Sequence, residues 1–189
     1  MNKNQKSKIK NQKGFTLVEM LVVIFIVAIL SAATLAAIRQ GNKRSSVLRA
    51  AQRVAQDLRD AQNRALAAVE FQGKVPCGWG IEFVRNQNYY LLFADRDPNS
   101  EDDCGNNKLH DSGPLEDVKE IKFEENVMVS SVSPTSPLPI VFIPPDPITY
   151  INAVTGPGTA DAQITVQRID DPSITRVVRV RVSGQIQIE

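Results

Sequence analysis

The feature that most constrains this chain is an uninterrupted apolar run near its N-terminus, residues 15–38 (FTLVEMLVVIFIVAILSAATLAAI). The run contains no Pro or Gly, and a helix of this length extends about 36 Å, enough to cross a hydrocarbon core of roughly 30 Å. Residues 1–14 carry five lysines and no acidic side chain. Because basic flanks stay on the cytoplasmic side, the pattern predicts a cytoplasmic N-terminus and a C-terminal part outside the membrane.

A single carboxylate, Glu19, lies near the start of this run and separates three interpretations. A secretory signal peptide would place small residues near its cut, as residues 31–37 do, but this run is long for one. A plain membrane anchor accounts for the length but leaves Glu19 at a cost of about 2.5–3.5 kcal/mol. Alternatively, cleavage after Gly14 would free the Phe15 amine, which can pair with Glu19 of a neighbouring helix, so that each buried charge has a partner.

Residues 13–19, Lys-Gly-Phe-Thr-Leu-Val-Glu, resemble the type III signal of type IV pilins and type II secretion pseudopilins. The resemblance implies that a prepilin peptidase removes residues 1–14 by cutting between Gly14 and Phe15, and that Phe15 is then N-methylated. It also implies a single-pass protein of the inner membrane that enters an extracytoplasmic filament. The partners implied are other pilin or pseudopilin subunits, the peptidase and an inner-membrane assembly platform.

Beyond the apolar run the pattern becomes amphipathic. Gly41 and Asn42 mark the membrane exit, where a long helix could bend. Apolar residues then recur at spacings of three and four: Val47, Ala51, Val54, Leu58, Ala61, Ala65 and Val69. We therefore predict one helix from Phe15 to about Val69, transmembrane over residues 15–40 and amphipathic over residues 41–70, with its apolar stripe packed on a sheet.

Residues 71–189 form the predicted β-rich head. Strands are expected near residues 79–84, 88–94, 121–123, 127–132, 140–143, 164–168, 173–182 and 185–188. Six prolines within residues 133–148 predict short or edge strands there. One long helix followed by such strands indicates an α+β fold with an antiparallel sheet. This head resembles pseudopilin H and FimT-like minor pilins, which implies a minor subunit.

Charge and cysteine content divide the chain into a basic stem and an acidic head. Six Lys or Arg and two Asp lie within residues 43–64, whereas ten basic and eighteen acidic residues lie from Val69 onward. An acidic head gives no electrostatic support for wrapping a polyanion. Cys77 and Cys104 are the only cysteines, and in an exported chain they favour one disulfide, with two free thiols as the alternative.

The sequence offers two weaker candidate sites. The acidic loop after residue 94 offers oxygen ligands for Ca²⁺ at Asp95, Asp97, Asn99 and Asp102, but it lacks the glycine and distal glutamate of an EF-hand. We favour a solvated turn and expect no cofactor. Arg179 and Arg181 share one face of a late strand. They could contact DNA, although cations that protect an edge strand from aggregation are the favoured interpretation.

No catalytic set emerges from the sequence. His110 is the only histidine and lies in a polar loop, and no nucleophile elbow or phosphate-binding loop is present. We therefore expect a structural subunit of a type IV pilus or type II secretion pseudopilus rather than an enzyme. A DNA-uptake or surface-binding minor pilin is the alternative, and a Sec-secreted β-protein is the third hypothesis.

Overall fold

The computed structural model describes residues 14–96, 108–111, 113–144, 148–156 and 158–189. Its internal contacts divide the chain into two units, the first ending at Gly41 and the second beginning at Asn42. One helix, α1 (Leu17–Leu66), contributes residues to both units. The following strands belong to the second unit, so the α+β class expected from the sequence is confirmed.

Helix α1 ends three residues earlier than the spacing of apolar residues predicts. The Val69 N–H donates to the Arg64 carbonyl at 3.0 Å, and the Ala68 N–H donates to the Ala65 carbonyl at 3.1 Å. Ala68 adopts a left-handed conformation with φ of 46°. These are the bonds of a Schellman motif, which satisfies the last carbonyls of the helix and turns the chain away.

Nine strands are present among the described residues. They are β1 (Gly78–Phe83), β2 (Tyr89–Asp95), β3 (Asp117–Lys122), β4 (Val127–Ser133), β5 (Leu138–Ile143), β6 (Ile148–Ile151), β7 (Ala162–Arg168), β8 (Thr175–Val180) and β9 (Ile186–Ile188). All pairings are antiparallel. The strands form a five-stranded sheet in the order β3-β2-β1-β5-β6 and a four-stranded sheet in the order β4-β7-β8-β9.

The two sheets are joined through the turn between β1 and β2. The Asn86 N–H donates to the Val129 carbonyl, and the Val129 N–H donates to the Gln87 carbonyl, both at 2.8 Å. Asn86 has φ of 63°, a left-handed conformation that asparagine tolerates better than most residues. The turn therefore serves both as a hairpin connection and as a partner for β4.

The second unit has one main core, and the apolar stripe of α1 lies in it as predicted. Val47, Ala51, Val54, Leu58, Ala61 and Ala65 are at most 1% exposed, and Val69 packs against the same cluster. Their partners come from both sheets, including Ile81, Tyr90, Ile140, Ile164 and Val178. Small side chains on the helix let the strands approach it closely, so burial of this stripe holds the helix to the sheets.

The prediction of short or edge strands in the proline-rich segment is wrong for β5. This strand has six residues and pairs with β1 on one side and β6 on the other. The N–H and C=O of one strand residue point the same way, and the Pro139 carbonyl accepts from the Asn152 N–H, just past the end of β6. Pro139 therefore lacks its N–H on the side of β5 that faces β6, next to the end of that strand. The hydrogen bonds between β5 and β1 are not interrupted.

Candidate functional site

The N-terminal site begins at Gly14 and Phe15, which are both exposed and precede the helix. The Thr16 Oγ1 accepts a hydrogen bond from the Glu19 N–H at 3.2 Å, and the Thr16 carbonyl accepts from the Met20 N–H. Thr16 is thus the N-cap of α1, which satisfies one of the free N–H groups of the first turn. Thr16 was not among the predicted site residues, although a Thr followed three residues later by Glu is a recognised capping signal.

Helix α1 presents an apolar surface on all sides in its first unit. Residues 14–35 are exposed throughout, and the large side chains among them include Phe25 at 64% and Leu30 at 60%. Within the described residues α1 is the one helix long and apolar enough to span a membrane, with a mean hydropathy of 2.9 in its most apolar window. A helix that is hydrophobic all round requires an apolar environment supplied from outside the chain.

Glu19 is the acidic residue of the first helical turn, and it is exposed among these apolar side chains. A carboxylate is favourable near the positive end of the helix dipole, but at the depth of a bilayer it is costly without a partner. The site therefore combines a glycine before the helix, a threonine cap and a carboxylate one turn later.

Residues 9–35 match the family described as the prokaryotic N-terminal methylation motif. The N-terminal segment is thus that of a type IV pilin-like protein. The matched residues contain Gly14, Phe15 and Glu19 and end within the exposed apolar part of α1. No curated protein and no solved structure matches the chain. The similarity to known proteins therefore lies in the N-terminal motif. The properties of the head are inferred from its structure alone.

Part of the predicted cysteine and calcium sites lies outside the described residues. Cys77 is half-buried directly before β1, and its N–H donates to the Asp95 carbonyl at 2.9 Å. Cys104 is outside the described residues, so the disulfide stays a prediction. Of the calcium candidates, Asp95 is buried at the end of β2, while Asp97, Asn99 and Asp102 are not described. Among the residues described, no three His, Cys, Asp or Glu side chains are arranged so that they could hold a metal ion.

The favoured interpretation of Arg179 and Arg181 as cations on an edge strand is wrong, because β8 pairs with β7 on one side and β9 on the other. Both arginines lie beside carboxylates. Arg179 makes a bidentate contact with Glu189 at 2.8 and 3.1 Å and lies 3.6 Å from Asp161. Arg181, just after β8, lies 3.9 Å from Asp161. The Glu189 carboxylate raises the pKa of Arg179 through this hydrogen bond. The two cations are thus already matched with acidic partners, which weighs against a phosphate-binding role.

His110, which the sequence placed in an unremarkable polar loop, lies between two carboxylates. Its Nδ1 is 3.1 Å from Glu82 Oε1 on β1, and its Nε2 is 2.6 Å from Asp117 Oδ1 on β3. Burial alone would lower the pKa of His110, but hydrogen bonds and charge from Glu82 and Asp117 outweigh it and raise the pKa to about 9. The sequence did not reveal this cluster because Glu82 lies 28 residues from His110 and because Asp117 lies on a separate element, β3.

Proposed function

We propose that this chain is a minor subunit of a type IV pilus or type II secretion pseudopilus. After cleavage between Gly14 and Phe15 and N-methylation of Phe15, it polymerises through the first part of α1. The head stays outside the inner membrane throughout. The role is structural, with no catalysis and no bound cofactor. The observation that supports it best is the methylation motif at residues 9–35, followed by a helix with an exposed apolar surface on all sides.

The apolar surface of residues 17–35 supports a subunit with two successive environments. In the bilayer, lipid covers these side chains. In a filament, the same side chains of neighbouring copies would cover one another, so the helix can leave the membrane without exposing its apolar surface to water. The same segment, residues 17–35, would therefore serve both membrane anchoring and polymerisation.

Glu19 supports a specific register between neighbouring subunits. The Thr16 cap engages the backbone N–H of Glu19 rather than its carboxylate. Cleavage after Gly14 creates a positive charge at Phe15, one helical turn away along the sequence. Pairing Glu19 of one subunit with the Phe15 amine of the next would compensate two charges that are costly when buried alone.

The proposed cleavage site is tested by replacing Gly14. We expect Gly14→Val to block processing because the peptidase must bind the backbone before the cut closely. The mass of the purified full chain would then retain residues 1–14, whereas wild type would begin at N-methylated Phe15. Gly41→Ala is the matched control and should be processed normally. A normally sized mature subunit from Gly14→Val would rule out this cleavage site, and a wild-type start within residues 32–37 would indicate a Sec signal.

The charge pairing is tested by Glu19→Leu, with cleavage, membrane abundance and filament incorporation measured together. We expect normal cleavage and stable membrane residence, because the substitution removes a costly charge from an apolar segment. Incorporation into filaments should fall strongly. Glu70→Leu, which removes an exposed carboxylate after the end of α1, is the control and should incorporate normally. Wild-type incorporation of Glu19→Leu would refute the pairing, and its loss from the membrane would assign Glu19 to insertion.

A further inference from the structure

The five-stranded sheet has a second buried layer on the face opposite α1, which we call the outer face. Phe93 and Val141 are fully buried but lie outside the main core cluster. A Cβ on Gly80 would come within 2.6 Å of the Phe93 ring, and one on Gly78 within 2.7 Å of Val141 Cγ1. Both side chains therefore lie over glycine backbone on β1, on the side of the sheet away from the helix.

Residues 108–111 cross this outer face and contact four strands, β1, β2, β3 and β6. The His110 ring lies 4.9 Å from the Phe93 ring, centroid to centroid, and its side chain is only 2% exposed. Two residues earlier, the Lys108 ammonium lies 5.5 Å from the centre of the Tyr150 ring on β6. Segment 108–111 thus covers the outer face from Phe93 on β2 towards β6.

The backbone of this segment is also held by a buried carboxylate. Glu116 is 2% exposed, and its two oxygens accept from the Arg96 N–H at 3.2 Å and the Asp111 N–H at 2.7 Å. Burial raises the pKa of Glu116. The Asp111 N–H, directly after His110, is therefore protected only while the segment lies in place, so this amide reports whether the segment is held.

The hydrogen bonds of His110 define the charge state of its ring. An ionised carboxylate only accepts hydrogen bonds, and a neutral imidazole has only one N–H donor. Both ring nitrogens face carboxylate oxygens, on Glu82 and Asp117. While both carboxylates are ionised, a neutral ring would set one nitrogen lone pair against an acceptor, so under that condition the geometry requires the doubly protonated imidazolium.

We propose that His110 is a pH-sensitive clasp that holds segment 108–111 on the outer face while its ring is an imidazolium and releases it when the ring is neutral. The hydrogen bonds that require the imidazolium also favour it over the neutral form, and the pKa of about 9 agrees with this. Since the pKa is raised above the unfolded value near 6.5, the stabilisation is fully present below about pH 6.5. It is lost as the pH rises through about 9.

Other charged groups around the clasp set its limits. Those that face or neighbour His110 are Glu82 from β1, Asp117 and Glu120 from β3, Tyr89 and Tyr90 from β2, Glu116 before β3, and Lys108 and Asp111 from its own segment. At strongly acidic pH the carboxylates become protonated and the clasp weakens from the other side. Between these limits the negative groups favour the imidazolium and Lys108 opposes it.

The test uses the full chain in detergent micelles with ¹⁵N-labelled histidine. We expect both His110 nitrogens to report the imidazolium through neutral pH and to titrate near pH 9. Exchange of the Asp111 amide, corrected for its intrinsic pH dependence, should accelerate through the same titration. Glu82→Gln should lower the titration midpoint by at least about one unit, because it removes one charged acceptor. Glu120→Gln, which lines the adjoining cleft, is the matched control and should change it far less.

Two results would overturn the proposal. One is a His110 titration near pH 6.5 with a single ring proton above it. The other is Asp111 protection that does not change while His110 loses its proton, which would show that the ring charge does not hold the segment. Equal shifts of the His110 titration midpoint in Glu82→Gln and Glu120→Gln would contradict the direct contact with Glu82. They would show that the general negative charge around the ring sets the midpoint.

Discussion

The two parts of α1 belong to one helix, but the apolar side chains of the first part are exposed and those of the second part are mostly buried. Before Gly41, the described side chains of residues 17–35 are exposed and nearly all apolar. After Asn42, the exposed side is mostly polar, and the apolar stripe from Val47 to Ala65 is buried against strands of the same chain. The first part thus exposes the kind of surface that the second part buries.

Both parts are α-helical, but they depend on different contacts to bury their apolar side chains. The second part gains its burial from the sheets, supported by polar contacts such as the bidentate pair of Arg49 with Glu124 at 3.2 and 3.0 Å. The side chains of residues 17–35 are exposed, so they can gain comparable burial only from surroundings outside the chain. Substitutions in the two parts should therefore affect different measurements.

The largest expected effect comes from truncating the buried stripe. Leu58→Ala removes a fully buried side chain from the core, and we expect it to lower the free energy of unfolding of the head by about 2–5 kcal/mol. The single tryptophan, Trp79, is buried in that head and reports its unfolding by fluorescence. Leu30→Ala makes the same chemical change at a side chain that is 60% exposed. It should leave the denaturation midpoint of the head unchanged, and equal effects of the two variants would contradict the comparison.

The next largest effect concerns the polar link between the helix and the five-stranded sheet. The buried Tyr90 hydroxyl donates to Asp57 Oδ2 on α1, and burial together with this carboxylate raises the pKa of Tyr90. Tyr90→Phe keeps the ring packed between Phe83 and Phe123 but leaves Asp57 without its donor. We expect a loss of about 1–3 kcal/mol in the free energy of unfolding.

A double-mutant cycle isolates this link. Asp57→Asn alone should also destabilise the head, and the double variant should cost less than the sum of the two single changes because they remove the same hydrogen bond. Additive effects would show that the contact contributes no coupling. Incorporation into filaments is not expected to change, since this contact lies within the head.

The helical stripe and the first two strands could be predicted because their signals are local. Spacings of three and four placed Val54 and Leu58 on one face, and that face is buried. The methylation motif likewise occupies consecutive residues. Strand β3 was predicted only at its end, because its sequence DVKEIK is largely polar and its burial pattern is that of an exposed edge.

The remaining features depend on pairings between distant segments. The division into two sheets follows from contacts such as β1 with β5 and β4 with β7, which no short window encodes. Pro139 suggested an edge, but the position of its carbonyl relative to β6 decided the outcome. His110 gained a distinctive environment only because folding brought it to Glu82 and Asp117.

The smallest expected effect tests the boundary between the two parts of α1. Gly41 lies inside the helix, where glycine is less favourable than alanine by roughly 0.5–1 kcal/mol. A Cβ at this position would meet nothing within 4 Å, so Gly41→Ala should strengthen the local helix without a clash. Amide hydrogen exchange at residues 38–44 should slow by a few-fold, while the unfolding midpoint of the head stays the same because no core contact changes. If exchange does not slow, the glycine does not limit helix stability here. If the midpoint of the head rises as well, the two parts of α1 are stabilised together, and the separation drawn from their opposite burial does not extend to their energetics.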